Sequence, residues 1–176
     1  LRRRNAYHLM ILEKEKKHNV YLGLGSNLGD RGENLDNAID YIEERIGEVI
    51  ATSAFYITEP VGFESANQFL NAACRVETKL TPIEVLQATQ WIEKEMGRDV
   101  KSQGERYTDR IIDIDVLLYE DVILDSADLK LPHPHIHERS FVLFPLAEIA
   151  GEYMHPILHK TINQLKDAIV PPTSIA

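Results

Sequence analysis

The sequence predicts an α+β fold class, namely a ferredoxin-like βαββαβ core with an extra C-terminal strand and helices. Its 176 residues are the usual length of one domain. Hydrophobic residues make up 44% and charged residues 27%, which is enough apolar material for one core. The predicted elements follow one another as strand, helix, strand, strand, helix, strand, and no repeat or linker divides them. We therefore expect one domain over residues 19–170 and a C-terminal tail over residues 171–176.

Changes in the spacing of apolar residues along the chain predict the first half of this core. Residues 20–25 are mostly apolar and indicate a buried strand, and Asp30 then opens a helix through a capping box. Apolar residues recur in that helix at helical spacing: Leu35, Ala38, Ile39, Ile42 and Ile46. Gly47 ends it. Two further strands are expected over residues 48–57 and 69–76, and the loop between them is rich in Pro, Gly, Ser and Asn.

The second helix has the clearest start signal in the chain. Thr81 is a helix cap, Pro82 occupies the first helical position, and Glu84 occupies the third. We expect this helix to end near Gly97. Residues 98–109 carry glycine and mixed charges without an apolar period, so they are predicted to form a loop.

The last part of the chain supplies the fourth core strand and the additional elements. Residues 111–119 alternate between apolar and polar side chains, which predicts a strong strand, and residues 122–124 predict a short one. A Pro- and His-rich loop follows, and then a short helix near residues 140–149. A final helix opens at Thr161, with Gln164 as its capping-box partner.

Charge and composition exclude several classes of protein. The formal net charge of −9 argues against a nucleic-acid binder, and no apolar run reaches the length of a membrane span. Cys74 is the only cysteine and lies in an apolar stretch, so we expect a small buried residue in a reducing compartment, by default the cytoplasm. Residues 1–18 have a basic start and a short apolar patch; we interpret them as a tag or a loose extension outside the fold.

The sharpest chemical feature is a pair of aspartates in the predicted fourth core strand. Asp113 and Asp115 share one face of that strand, with α-carbons roughly 6–7 Å apart. Ile112, Ile114 and Val116 take the opposite face, which is predicted to face the core. Two close carboxylates repel unless a cation lies between them, and hard oxygen ligands suit Mg²⁺. The same pattern also fits the alternative of a half-exposed strand with two solvated aspartates, and it does not distinguish the two.

A basic loop precedes the two aspartates. It carries Arg98, Lys101, Arg106 and Arg110 in a chain that is acidic overall. Guanidinium groups match phosphate oxygens in pairs, so this loop favours a lid over a polyphosphate. Three acidic residues in the same stretch, Asp99, Glu105 and Asp109, support the alternative of a solvated surface loop.

Two further motifs are less specific. His133, His135 and His137 alternate in a Pro-rich loop; we favour a histidine and an arginine that reach phosphate over a zinc site. Gly23 and Gly25 belong either to a phosphate-binding turn or to a tight turn that ends the first strand.

Taken together, these pieces resemble the 6-hydroxymethyl-7,8-dihydropterin pyrophosphokinase family of folate biosynthesis. Five blocks carry the resemblance in order: GLGSNLGD at 23–30, FYITEPVGF at 55–63, QFLNAA at 68–73, DRIIDIDVLLY at 109–119 and LPHPHIHERSFVLFPLAEIA at 131–150. The resemblance implies a ferredoxin-like enzyme that uses two Mg²⁺ ions, with ATP as co-substrate. It implies transfer of pyrophosphate from ATP to the pterin hydroxymethyl group, with release of AMP, by a monomer or weak homodimer without nucleic-acid or membrane partners.

The resemblance also implies roles for individual residues. The metal ligands would be Asp113 and Asp115. The pterin would be bound by Thr58, Val61, Phe69, Asn71, Tyr107 and Phe141. The ATP would be bound by Gln90, Glu93, Arg98, Arg106, Arg110, Val116, His133 and Arg139. The catalytic residues would be Arg98, Arg110 and Asp115.

Two other functions remain open from the residues themselves. A metal-dependent nucleotidyltransferase also uses paired strand aspartates, but it would attack the α-phosphorus and release pyrophosphate. A non-catalytic ligand-binding ferredoxin-like module would show no turnover, and a Mg²⁺-dependent gain in ATP affinity would argue against it.

Overall fold

The structure, a computed structural model, describes residues 2–61, 65–97, 109–171 and 174–175, with side chains described from residue 6 to residue 171 within these ranges. The helices are α1 (Arg2–Glu15), α2 (Arg31–Arg45), α3 (Pro82–Glu95), α4 (Ser140–Ala150) and α5 (Ile162–Asp167), with a 3₁₀ turn at Ile136–Glu138. The strands are β1 (His18–Ser26), β2 (Gly47–Thr52), β3 (Tyr56–Thr58), β4 (Phe69–Thr78), β5 (Asp113–Tyr119), β6 (Leu124–Asp125), β7 (Lys130–Leu131) and β8 (Ser174–Ile175).

The main sheet is antiparallel and has the order β5, β1, β4, β3, β8, with β2 also paired to β4. The units β1–α2–β2 and β4–α3–β5 are therefore the two halves of a split βαβ arrangement. This confirms the predicted fold class. The strands β6 and β7 form a separate two-stranded hairpin.

Each face of the sheet has its own apolar core. The first core contains Leu22, Ile114 and Val116 from the sheet and is covered by α2 and α3. The second contains Ala73 and Leu117 and is covered by α4 and α5. Because strand residues alternate between faces, Asp113 and Asp115 fall on the side of α4. Burial of each large aliphatic side chain stabilises this arrangement by about 1.5–3 kcal/mol.

The helix starts follow the capping signals in the sequence. Thr81 and Thr161 each form a complete capping box, and the Asp30 carboxylate accepts the backbone N–H of Glu33. One predicted strand is interrupted, since residues 48–57 form β2 and β3 rather than a single strand. A bulge shifts the register between Val49 and Ala51. Ser53 then turns the chain, and its hydroxyl oxygen accepts the backbone N–H of Ala73 at 2.9 Å.

Gly47 is the first residue of β2, and close packing against β4 explains why a glycine occupies this position. A Cβ atom there would lie 2.0 Å from the carbonyl oxygen of Glu77, which is a backbone atom and cannot move aside. We expect Gly47→Ala to lower the free energy of unfolding by about 1–3 kcal/mol, the usual cost of overpacking. Urea unfolding measures this change. Gly32→Ala is the matched control, because its Cβ would meet Asp30 only at 3.7 Å; equal destabilisation by the two variants would contradict the prediction.

The neutral form of the His155 imidazole stabilises the turn before α5. The side chain is buried, and its Nδ1 accepts the backbone N–H groups of Ile157 at 3.2 Å and Leu158 at 3.0 Å. Burial, and then the nearby His137 and His159, lower the pKa of His155.

Because the folded protein binds a proton at His155 less readily than the unfolded chain, stability is lost as the pH falls below the ordinary histidine pKa of about 6.5. We expect His155→Asn, which keeps an acceptor near this position but does not titrate, to lose less stability between pH 7.5 and pH 5 than the parent. Urea unfolding at both pH values tests this. If His155→Asn loses as much stability between pH 7.5 and pH 5 as the parent does, other groups cause the acid sensitivity.

The N-terminal segment forms the exposed helix α1. Residues 6–17 are exposed, and Glu15 pairs with Lys79 at 2.7 Å, a surface ion pair worth at most about 1 kcal/mol. The sheet begins at His18, whose Nδ1 lies 3.0 Å from a carboxylate oxygen of Glu120. Cys74 is fully buried in the first core, and burial raises its thiol pKa to about 12. None of the helices within the described ranges has the length and apolarity needed to cross a membrane.

Candidate active site

A cleft opens on the α4 side of the sheet, beside the start of α4. It encloses about 820 Å³ including its open mouth, within the range of small-molecule binding sites. Three strands of the sheet, β1, β4 and β5, form its floor, and β3 and the N-terminal end of α4 form its walls. The lining residues are Gly23, Leu24, Gly25, Thr58, Glu59, Val61, Phe69, Asn71, Ala72, Ala73, Arg110, Asp113, Asp115, Leu117, Arg139, Phe141 and Val142.

Two glycines of β1 leave the floor of this cleft open. Gly25 pairs with Asn71 on one side and Asp113 on the other, and Gly23 pairs with Asp115 on the β5 side. A Cβ atom on Gly25 would lie 2.8 Å from Oδ1 of Asn71. Both glycines therefore lie within strand β1, which confirms the strand predicted over residues 20–25, and neither glycine belongs to a turn.

Asp113 and Asp115 lie side by side on the floor, as the strand period predicts. Each is partly exposed and lines the same cleft. The Arg110 guanidinium is close by, with Nη1 3.3 Å from Oδ2 of Asp113, and its side chain is only 11% exposed. The floor thus combines two carboxylates with one arginine.

This donor set suits a hard cation that is also held by a substrate. Within the described ranges, no group of three or more His, Cys, Asp and Glu side chains could hold a metal ion by itself. Mg²⁺ is usually bound through one or two carboxylates, and the remaining positions are filled by water and substrate phosphates. Asp113 and Asp115 in one cleft fit that pattern.

The other end of the cleft is apolar with one polar pair. The Asn71 amide donates a hydrogen bond to the Thr58 hydroxyl at 2.5 Å, and both residues are buried. Phe69, Phe141 and Val61 line the same cleft. Aromatic faces beside a few fixed polar groups are typical of a site for a flat heterocycle.

Glu148, a residue of α4, connects this helix to β3 and to the segment before it, at one wall of the cleft. Its carboxylate accepts the Tyr56 hydroxyl at 2.8 Å and the backbone N–H of Ala54 at 3.0 Å. Burial, followed by this hydrogen bond, raises the pKa of Tyr56 to about 12. Sequence reasoning missed this support, because Tyr56 and Glu148 are 92 residues apart.

His133 and Arg139 approach the cleft from the loop before α4. Arg139 lines the cleft, whereas His133 is partly buried beside β5 and its backbone N–H donates to the Leu117 carbonyl at 2.9 Å. Burial, and then the charges of Arg139 and His135, lower the pKa of His133 to about 4, against the opposing effect of Asp113. His133 is therefore neutral near pH 7, and it can donate or accept a hydrogen bond there without carrying a charge.

Besides His133, three residues expected at an ATP site do not line this cleft. Gln90 is exposed on α3, and Glu93 on the same helix is 7% exposed. The Val116 side chain packs in the first core, on the opposite face of the sheet from Asp115. Arg98, Arg106 and Tyr107 lie outside the described residues, as does Lys101.

The comparisons with known proteins agree with one another. Residues 21–151 match the family model described as 7,8-dihydro-6-hydroxymethylpterin-pyrophosphokinase (HPPK). The chain is 47% identical over 138 residues to the 2-amino-4-hydroxy-6-hydroxymethyldihydropteridine pyrophosphokinase of Porphyromonas gingivalis, which covers 78% of this chain and 93% of that protein. It is 40% identical over 147 residues to the protein of the same name from Aquifex aeolicus, covering 84% and 89%.

Solved structures give the same fold. Wild-type Plasmodium falciparum HPPK-DHPS superposes with a TM-score of 0.70 at 19% identity, over 87% of this chain. The match covers 43% of that longer chain, so this chain spans less than half of it. At this identity the likeness supports the fold alone.

Proposed function

This chain belongs to the HPPK family, a family that uses ATP as co-substrate, and on that premise we propose that it transfers pyrophosphate from ATP to 6-hydroxymethyl-7,8-dihydropterin. The products are AMP and the pterin diphosphate, in a step of tetrahydrofolate biosynthesis. The enzyme class is 2-amino-4-hydroxy-6-hydroxymethyldihydropteridine diphosphokinase, a pyrophosphoryl transferase. One observation carries the proposal: a single cleft has two carboxylates at one end and a buried amide–hydroxyl pair among aromatic side chains at the other.

The pterin occupies the aromatic end of the cleft in this proposal. Asn71 and Thr58 face the edge of its amino-pyrimidine ring, where their hydrogen bond fixes the orientation of the Asn71 amide. Phe69 and Phe141 stack on the ring, and Val61 borders it, since all three line the cleft. Tyr107 is assigned to the pterin through the family resemblance.

The triphosphate occupies the carboxylate end. Asp113 and Asp115 would hold two Mg²⁺ ions, which would neutralise charge on the phosphate oxygens. Arg110 and Arg139 line the same cleft and pair with those oxygens, and neutral His133 donates a hydrogen bond from its ring. Arg98, Arg106, Gln90, Glu93 and Val116 are assigned to ATP through the resemblance alone.

The reaction is an in-line displacement. The pterin hydroxyl oxygen forms a bond to the β-phosphorus and releases its proton to water, and the bond from the β-phosphorus to the oxygen that bridges to the α-phosphorus breaks, so AMP leaves with that oxygen. The contribution of the protein is positioning and neutralisation of charge. Arg110 pairs with Asp113, so its guanidinium lies beside the position that the phosphates would take.

The location and assembly state follow the same premise. We propose a cytoplasmic enzyme, supported by a single cysteine that is buried as a thiol, and a monomer or weak homodimer. Its partners are then ATP and the pterin. The exposure of residues 6–17 supports an N-terminal extension, but one that ends before His18, which pairs with Thr78 as the first residue of β1.

AMP formation from ATP and Mg²⁺, with and without 6-hydroxymethyl-7,8-dihydropterin, tests the function. AMP that appears only with the pterin supports both the acceptor and the attack at the β-phosphorus. Release of pyrophosphate would instead indicate a nucleotidyltransferase, and binding of ATP without turnover would indicate a non-catalytic module.

A further inference from the structure

Three segments meet next to Arg110 through one set of hydrogen-bonded side chains. Asn27 follows β1, Asn67 precedes β4, and Asp109 precedes β5. The Asn27 amide donates to Oδ1 of Asp109 at 2.7 Å, and the Asn67 amide donates to Oδ2 of Asp109 at 3.1 Å. Both oxygens of one carboxylate thus accept hydrogen bonds from two segments that are far apart in the sequence.

The same cluster holds the backbone of Arg110 from both sides. The Arg110 N–H donates to Oδ1 of Asn27 at 2.7 Å, and the Asn27 N–H donates to the Arg110 carbonyl at 3.1 Å. Asn27 is only 2% exposed, so these bonds are made away from water, where loss of one partner is costly. From this hydrogen-bonded backbone, the Arg110 side chain extends into the cleft beside Asp113.

The protonation state of Asp109 suits this arrangement. A hydrogen bond from the Ser65 side chain, and then those from Asn27 and Asn67, lower the pKa of Asp109 against the opposing effect of burial. The carboxyl is therefore ionised near pH 7 and can accept at both oxygens. A neutral amide at position 109 would accept at one atom and present a second NH₂ group to that of Asn67.

We propose that Asp109 is a positioning residue that, through Asn27 and Asn67, sets the location of Arg110 beside Asp113 on the floor of the cleft. The proposal rests on the proposed function, because Arg110 acts there on the triphosphate. Asp109 itself lies outside the cleft lining and touches no reacting atom in this scheme. Displacement of a charged group by about 1 Å can reduce turnover by up to roughly 100-fold. The hydrogen bonds among Asn27, Asn67 and Asp109 can therefore affect turnover through Arg110, without contact between Asp109 and the substrate.

A reciprocal exchange tests the proposal. Asp109→Asn places two amide groups against each other, and Asn67→Asp places two carboxylates against each other. The double variant Asp109→Asn with Asn67→Asp restores one donor and one acceptor, because the new amide can donate to the new carboxylate while its oxygen still accepts from Asn27. We expect each single variant to lower kcat roughly tenfold and the double variant to recover to within about threefold of the parent.

Separate measurements of kcat and KM distinguish a positioning role of Asp109 from general destabilisation of the protein. KM for the pterin should stay within about twofold of the parent value, because Thr58 and Asn71 are not part of the cluster, and the loss should appear in kcat. Asp128→Asn is the matched control, since it makes the same change at an exposed carboxylate. Asp109→Glu is a second probe: it keeps the charge but moves the carboxylate, and Asn67→Asp should not rescue it.

Each outcome decides one question. A parent protein that forms no pterin-dependent AMP overturns the proposed function. A parent that turns over, with Asp109→Asn as active as Asp128→Asn, overturns the positioning role of Asp109. A double variant no better than the poorer single variant overturns it as well, even where the single variants are destabilised.

Discussion

Asp115→Ala is expected to reduce pterin-dependent AMP formation by about 1,000-fold or more, which corresponds to about 4 kcal/mol of transition-state stabilisation. The protein should remain folded, because Asp115 is partly exposed on the cleft floor opposite Gly23 and is not part of either apolar core. Removal of one of two neighbouring carboxylates also relieves their mutual repulsion. The measurement is kcat at saturating ATP, Mg²⁺ and pterin, with the melting temperature as the check on folding.

The matched control for this variant is Asp125→Ala. Asp125 is exposed in β6, where Lys130 lies 3.7 Å from its carboxylate, and we expect turnover at the parental level. A second readout is the dependence of ATP affinity on Mg²⁺, which should be strong in the parent and weak in Asp115→Ala. Near-normal turnover by Asp115→Ala would eliminate the metal assignment.

Gly25→Ala is expected to lower kcat/KM for the pterin about 100-fold, or about 2.7 kcal/mol. The added Cβ would lie 2.8 Å from Oδ1 of Asn71, so the Asn71 side chain must turn away from its place beside Thr58. The methyl group would also occupy the floor of the cleft, close to Cδ1 of Phe69 at 3.5 Å. The loss should therefore appear mainly as weaker pterin binding, and ATP affinity should change little.

Gly23→Ala provides the graded comparison. Its Cβ would meet Cδ1 of Leu117 at 3.3 Å, which is the end of a flexible side chain that can move by a few tenths of an ångström. We expect a loss smaller than that of Gly25→Ala by about tenfold. Steady-state kinetics with the pterin varied at saturating MgATP measures both variants. Equal losses would show that crowding of Asn71 is not the cause.

The sequence by itself determined the elements that depend on local spacing. The alternation around Asp113 and Asp115 placed both carboxylates on one face, because successive side chains in a strand point to opposite sides. Thr81 and Thr161 marked helix starts correctly, because a cap is completed within four residues. The five motif blocks identified the family, which the comparisons confirm.

Only the tertiary structure decided how distant segments meet. At the break between β2 and β3, the Ser53 hydroxyl oxygen accepts the backbone N–H of Ala73 on β4, and Gly25 is required by its approach to Asn71 rather than by a turn. Asn27 and Asp109 are 82 residues apart, so no local pattern could pair them. Such contacts depend on strand order and register, which result from the packing of the whole sheet. Local sequence therefore specifies which face a side chain takes, and the assembled sheet specifies which residues it meets.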